Sequence, residues 1–67
     1  MEKLSEIAEL DAPFNKKITF QKVEYENGFQ FLRMRIKEGK RFTIIDLDVH
    51  TAQSCADTIN QWIGQLD

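Results

Sequence analysis

The chain has 67 residues, a formal net charge of −2 and a single cysteine, Cys55. A chain of this length is expected to form one domain over residues 1–67, with a core that needs a disulfide, a metal or a partner for support. The single cysteine excludes an internal disulfide, and no Cys or His spacing matches a zinc site. No segment approaches the ~18 apolar residues of a membrane span, and the N-terminal segment does not resemble a signal peptide. We therefore expect a cytoplasmic domain, with no membrane partner, that is stabilised by oligomerisation.

The N-terminal segment carries its apolar residues at helical spacing. Leu4, Ile7 and Ala8 lie among charged side chains, which predicts a short amphipathic helix or a loosely held arm over residues 2–11. Pro13 ends this segment, because the residue before a proline is restricted to extended backbone.

The middle of the chain predicts an antiparallel meander of three strands. The apolar residues change parity between Phe20 and Val23. The first strand, residues 17–26, is therefore expected to contain a bulge near Gln21 or Lys22.

Two turns that contain glycine join the predicted strands. Asn27-Gly28 predicts a tight hairpin turn, and Gly39 is expected to adopt left-handed backbone in the second turn. For the second hairpin we favour a bulged turn that pairs Met34 with Phe42, whereas a two-residue turn would pair Met34 with Thr43.

The last element is predicted to be a helix that begins at an N-cap, either Asp48 or Thr51. Its apolar residues recur at steps of three and one, and we call them the helix stripe: Ala52, Cys55, Ala56, Ile59, Trp62, Ile63 and Leu66. We expect the stripe to bury Ile59, Trp62 and Ile63 against one face of the sheet. The predicted fold is α+β with two layers, in which a three-stranded antiparallel meander packs on the C-terminal helix beside a short N-terminal helix or arm.

In the favoured register, the opposite sheet face carries apolar residues that one helix cannot also cover. These residues are Phe29, Phe31, Ile45 and Leu47. Exposed apolar surface of this extent marks a partner site, and symmetric pairs are the commonest arrangement. The leading hypothesis is a homodimeric protein-interaction module without catalytic activity, whose further partner would be another protein.

Residues 33–41 concentrate positive charge, whereas both ends of the chain are acidic. The basic residues are Arg33, Arg35, Lys37, Lys40 and Arg41. They can pair with carboxylates within the fold or across a dimer, or alternatively bind nucleic acid or another anion. An acidic isoelectric point of about 5.3 argues against binding of nucleic acid, so this function is the alternative to the protein-interaction module.

No residue set predicts catalysis, a cofactor or a metal. His50 and Cys55 are expected to point away from each other on a helix, which argues against a paired base and nucleophile. Asp46, Asp48 and His50 alternate at a strand end and would suit a divalent cation, but a fourth ligand is missing and helix capping explains Asp48. We therefore expect no enzymatic activity, no cofactor and no metal site.

The sequence also resembles a known family. The stretch LRMRIKEGKRFTIIDLD, preceded by DAPFNKKITF and followed by a helix that ends in INQWI, is similar to a family of short bacterial proteins without an assigned function. The resemblance covers nearly the whole chain and implies a compact α+β domain with no catalytic residues. Val49 departs from the pattern, since the resemblance leads us to expect proline in the first helical turn.

Overall fold

The computed structural model describes residues 2–66 and consists of a four-stranded antiparallel sheet followed by one helix. The elements are β1 (Lys3–Ala12), β2 (Lys16–Glu24), β3 (Gln30–Glu38), β4 (Arg41–Leu47) and α1 (Val49–Gly64). The strands are adjacent in chain order, β1-β2-β3-β4. The predicted α+β class, antiparallel sheet and C-terminal helix are confirmed. The predictions of three strands and of an N-terminal helix or arm were wrong.

A β-bulge explains why the first strand has helical spacing in the sequence. Leu4 pairs with Val23 and Ala8 pairs with Phe20, and the register shifts between Glu6 and Ala8. The extra residue, Ile7, changes the parity of the strand, so the apolar residues before and after it point to opposite faces. Apolar positions 4, 7 and 8 therefore follow from a bulged strand as well as from a helix. The bulge predicted in β2 is absent, because β2 pairs with β3 without interruption.

The β1–β2 turn has an unusual backbone. Phe14 and Asn15 have φ values of 64° and 59°, in the left-handed region. Asparagine tolerates this region, but a bulky side chain such as phenylalanine is strained there. Phe14 is also 89% exposed, so no packing contact within the chain compensates for the strain.

The β2–β3 hairpin turns through three residues, 26–28. Tyr25 and Phe29 face each other, since the Tyr25 N–H donates to the Phe29 carbonyl over 2.9 Å and the Gly28 N–H donates to the Tyr25 carbonyl over 3.0 Å. Gly28 has φ of 88° and Asn27 is not in the left-handed region. This is the three-residue loop with a glycine bulge rather than the tight turn expected here.

The β3–β4 hairpin has the shorter turn, with Gly39 and Lys40 between the paired Glu38 and Arg41. Gly39 has φ of 62°, which confirms the predicted left-handed glycine, while Lys40 is not left-handed. Both registers considered for this hairpin were wrong, because Met34 pairs with Ile45 rather than with residue 42 or 43. The register matters because a shift by an odd number of residues moves every side chain to the other face.

The observed register divides the sheet into two chemically different faces, since directly paired residues point to the same side. One face, here called the apolar face, has these residues at its centre: Ala8, Leu10, Ile18, Phe20, Leu32, Met34, Ile36, Ile45 and Leu47. The other, here called the charged face, carries Glu9, Asp11, Lys17, Arg33, Arg35, Lys37 and Asp46, and it also carries the apolar residues Leu4, Val23, Phe31, Phe42 and Ile44. Leu47 is buried on the apolar face, whereas Val23 is buried on the charged face.

Helix α1 begins directly after β4. Asp48 is the only residue between the two elements, and it has extended backbone with φ −76° and ψ 174°. Its carboxylate accepts a 2.7 Å hydrogen bond from the Thr51 N–H, as predicted for an N-cap. A single extended residue gives the chain no turn in which to reverse, and α1 contacts only β3 and β4 within residues 2–66.

The predicted packing of the helix stripe on the sheet was therefore wrong. Ile59, Trp62 and Ile63 are 56%, 61% and 52% exposed. Val23 and Leu47 are the buried apolar residues of the described chain. Two residues are a very small core for a domain, because burial of apolar surface is the main stabilising contribution to folding.

The dimensions of the molecule agree with this open structure. The Cα radius of gyration is 13.7 Å, whereas a compact chain of this length would have about 11 Å. The accessible surface is 5709 Å², whereas a folded monomer of this mass would have about 4400 Å². The chain thus exposes about 1300 Å² more than a compact monomer would.

Candidate self-association surface

The helix stripe, which is largely exposed, and the apolar face, which is partly exposed, together form one apolar surface. A groove of about 210 Å³ joins them at the base of α1, where Ile7, Leu32 and Leu47 of the sheet meet Val49 and Ala52 of the helix. Ala52 belongs to the stripe, so the stripe and the apolar face lie on the same side of the molecule. An apolar surface of this extent on one side of a small domain is a candidate association site.

The charged face, in contrast, satisfies most of its own polar groups. Arg33 binds Asp46 with two hydrogen bonds, Nε to Oδ1 over 2.8 Å and Nη2 to Oδ2 over 3.0 Å. This bidentate contact raises the pKa of Arg33 and lowers the pKa of Asp46, because each charged form stabilises the other. The pair forms a local cross-strand contact and needs no partner.

Two further contacts occupy cations of the charged face. The Lys17 ammonium lies 3.0 Å from a Glu9 carboxylate oxygen, and this hydrogen bond and the negative charge of Glu9 raise the pKa of Lys17. The Arg35 guanidinium carbon lies 4.4 Å from the centroid of the Phe42 ring, a cation–π distance. Lys37 is 5.9 Å from the same ring.

A small aromatic cluster covers one end of the charged face. Tyr25 and Phe31 meet edge to face, with ring centroids 5.8 Å apart and an interplanar angle of 80°. Val23 pairs with Leu4 on one side and with Phe31 on the other, and it is fully buried. The charged face therefore has its own small packed cluster, whereas the apolar face has cover only at the base of α1.

The four residues predicted to form one interface do not lie together. Ile45 and Leu47 are on the apolar face, Phe31 is on the charged face, and Phe29 directly precedes β3 opposite Tyr25. The separation follows directly from the register. Phe29 is 64% exposed and Ile45 is 44% exposed, but Leu47 is buried.

The five basic residues of the predicted anion site are also separated. Arg33, Arg35 and Lys37 lie on the charged face, Arg41 lies on the rim of the apolar face opposite Glu38, and Lys40 lies in the turn. Arg33 is bound by Asp46, whereas Arg35 and Lys37 lie beside the Phe42 ring. The shallow groove beside them is about 220 Å³.

Two of the carboxylates considered as metal ligands make contacts that stabilise the fold. Asp46 binds Arg33, and Asp48 caps α1, a contact that lowers the Asp48 pKa because the Thr51 N–H stabilises the carboxylate. Cys55 belongs to the helix stripe, which was predicted to pack on the sheet, but it is exposed. Among residues 2–66, no group of three His, Cys, Asp or Glu side chains is arranged to hold a metal ion.

Three residues of the apolar face, Leu10, Ile18 and Phe20, were not among the predicted interface residues. Leu10 was expected in an N-terminal helix or arm and lies in β1 instead. The available signal was the alternation of Ala8, Leu10 and Ala12 after the bulge.

The domain defined by this fold is a small α+β unit with an unpartnered apolar surface. The chain belongs to a protein family described as a family of unknown function (DUF6967), which matches residues 1–65. Comparisons with curated proteins and with solved structures give no match. No helix among residues 2–66 has both the length and the apolar character that crossing a bilayer requires.

Proposed function

We propose that this chain is a homodimeric protein-interaction module without a catalytic role. The observation that carries the proposal is the excess accessible surface of about 1300 Å² per chain. Two copies would together remove about 2600 Å², which falls within the range for obligate homodimers, about 2000–5000 Å².

Energetics support the same proposal. A domain in which Val23 and Leu47 are the only buried apolar residues among residues 2–66 lacks the apolar burial needed to offset the conformational entropy of folding, about 1–2 kcal/mol for each backbone residue. A second copy supplies the missing burial without any other component. Folding and association would then be coupled, as in homodimers that have no stable monomer.

Light scattering together with thermal unfolding tests this proposal. The expected mass is about twice the 7.9 kDa of one chain, and the melting temperature should rise with protein concentration because dimers dissociate on unfolding. Trp62→Asp on the stripe should abolish the dimer, whereas Gln61→Asp, on the opposite side of the helix, should preserve it. A one-chain mass with a melting temperature independent of concentration would contradict the proposal.

The alternative function, binding of nucleic acid or another anion, has one supporting observation. Arg35 and Lys37 lie beside the exposed Phe42 ring, and a ring flanked by cations can stack on a base while the cations contact phosphate. Titration of a fluorescent oligonucleotide at increasing salt tests it. Affinity that falls steeply with salt and is lost in Arg35→Gln would support the alternative, whereas absence of binding at low salt would exclude it.

A further inference from the structure

We infer that the two copies exchange helices, so that α1 of each copy packs across the apolar face of its partner. This inference rests on the proposed homodimer and specifies its geometry. Its first basis is the junction at Asp48, a single extended residue between β4 and α1. In the single chain α1 reaches β3 and β4 but does not extend over the rest of its own sheet, since no Cα atom of α1 lies within 8 Å of one in β2, both elements being within residues 2–66.

The second basis is the common orientation of the two apolar surfaces. Ala52 of the stripe and Leu47 of the apolar face line the same groove, so both surfaces point to the same side. A two-fold rotation that places the stripe of one copy on the partner's apolar face also places the partner's stripe on the first copy's apolar face. One symmetric contact therefore covers both surfaces of both copies.

The dimensions of the two surfaces also match. Helix α1 has 16 residues and a length of about 24 Å, whereas the axes of four strands span about 14 Å. One helix can therefore cross the whole sheet. Pairing of sheet on sheet would leave Ile59, Trp62 and Ile63 exposed, and pairing through edge strands would leave both apolar surfaces exposed.

The border of the apolar face has the composition of an interface rim. Lys16 and Glu38 form an ion pair at 3.1 Å, and Lys22 and Glu24 form one at 3.5 Å. All four residues are on the same side of the sheet as the apolar centre. An apolar centre surrounded by charged residues that pair with one another is typical of a protein interface.

Cross-linking between two different copies tests helix exchange. One copy keeps Cys55 on the stripe, and the other carries Cys55→Ser with a cysteine on the sheet and a tag that changes its mass. Thr43→Cys and Ala8→Cys place that cysteine on the apolar face, near opposite edges of the sheet. Thr19→Cys is the matched control on the charged face. The copies are mixed, unfolded and refolded together, and then treated with a short bis-maleimide.

Helix exchange predicts a cross-link between the two different copies, from Cys55 to the cysteine at residue 43 or residue 8. No such cross-link is expected with the Thr19→Cys control. The melting temperature of each variant checks that the substitution leaves the fold intact. Two copies joined only through Cys55 to Cys55, or a dimer without mixed cross-links to either site on the apolar face, would overturn helix exchange while leaving the homodimer in place. A one-chain mass for the untreated mixture would instead overturn the proposed function.

Discussion

Replacement of Trp62 by alanine distinguishes a buried helix stripe from an exposed one. Trp62 is 61% exposed in the single chain, and a tryptophan side chain has roughly 150–250 Å² to bury, so roughly 100–150 Å² is available to a partner. At about 25 cal/mol per Å² this burial contributes ~3 kcal/mol for each copy. A symmetric dimer contains the contact twice, which gives ~6 kcal/mol.

The expected result for Trp62→Ala is an increase in the dimer dissociation constant of about four powers of ten, since each 1.4 kcal/mol is a factor of ten. Sedimentation velocity over a dilution series measures this constant. Gln61→Ala, one residue away on the opposite side of the helix, is the control and should leave the constant unchanged. If Trp62 stays exposed in solution, its replacement should change the free energy of unfolding by less than about 0.5 kcal/mol, and that result would refute the reasoning.

Three further predictions concern the sheet and its turns. Arg33 lowers the pKa of Asp46, so the stability that the pair contributes, about 1 kcal/mol at most for a partly exposed contact, is present above the unfolded pKa of about 3.9 and is lost as pH falls through the lower folded pKa. Asp46→Asn should therefore reduce the fall in melting temperature on acidification, and an unchanged acid profile would contradict the pair. Gly39→Val should destabilise by about 1 kcal/mol or more because φ is 62°, whereas Gly64→Ala should be neutral or stabilising in chemical denaturation; equal effects would argue against this turn. Phe14→Gly should raise stability by ~1 kcal/mol by relieving left-handed strain, and a loss of stability would mean that a partner buries the Phe14 ring.

The helix and the positions of the two glycine turns were predictable because their signals are local. Asp48 caps α1 as expected, and the left-handed backbone of Gly39 follows from steric limits on residues with a Cβ. The order of β2, β3 and β4 also follows from consecutive short turns. These features depend on contacts between residues close in sequence, which a single sequence contains.

The register and the faces were not predictable because they depend on the turn geometry of each hairpin. The three-residue loop was expected at Gly39 and occurs at Gly28, and the tight turn was expected at Gly28 and occurs at Gly39. The resulting shift placed Ile45 and Leu47 on the opposite side from Phe31. The bulge at Ile7 likewise gave β1 an apolar spacing that a helix shares.

The packing of α1 was mispredicted for a different reason. An amphipathic helix after a meander is normally expected to cover the sheet that precedes it. In this structure the connection between β4 and α1 is the single extended residue Asp48, and α1 stays near β3 and β4. The sequence shows this short connection only after the end of β4 is known. An apolar stripe therefore predicts burial, but it does not identify the chain that provides the covering surface.

The most direct test of self-association through the helix stripe is the solvent accessibility of Trp62, the single tryptophan of the chain. Quenching of its fluorescence by acrylamide is measured in native protein at a concentration where light scattering reports the mass, and again in denaturant. Burial on the partner predicts a blue-shifted emission and much weaker quenching in the native protein than in the unfolded chain. Native emission and quenching equal to those of the unfolded chain, in a protein that retains its helix and sheet by circular dichroism, would contradict the account.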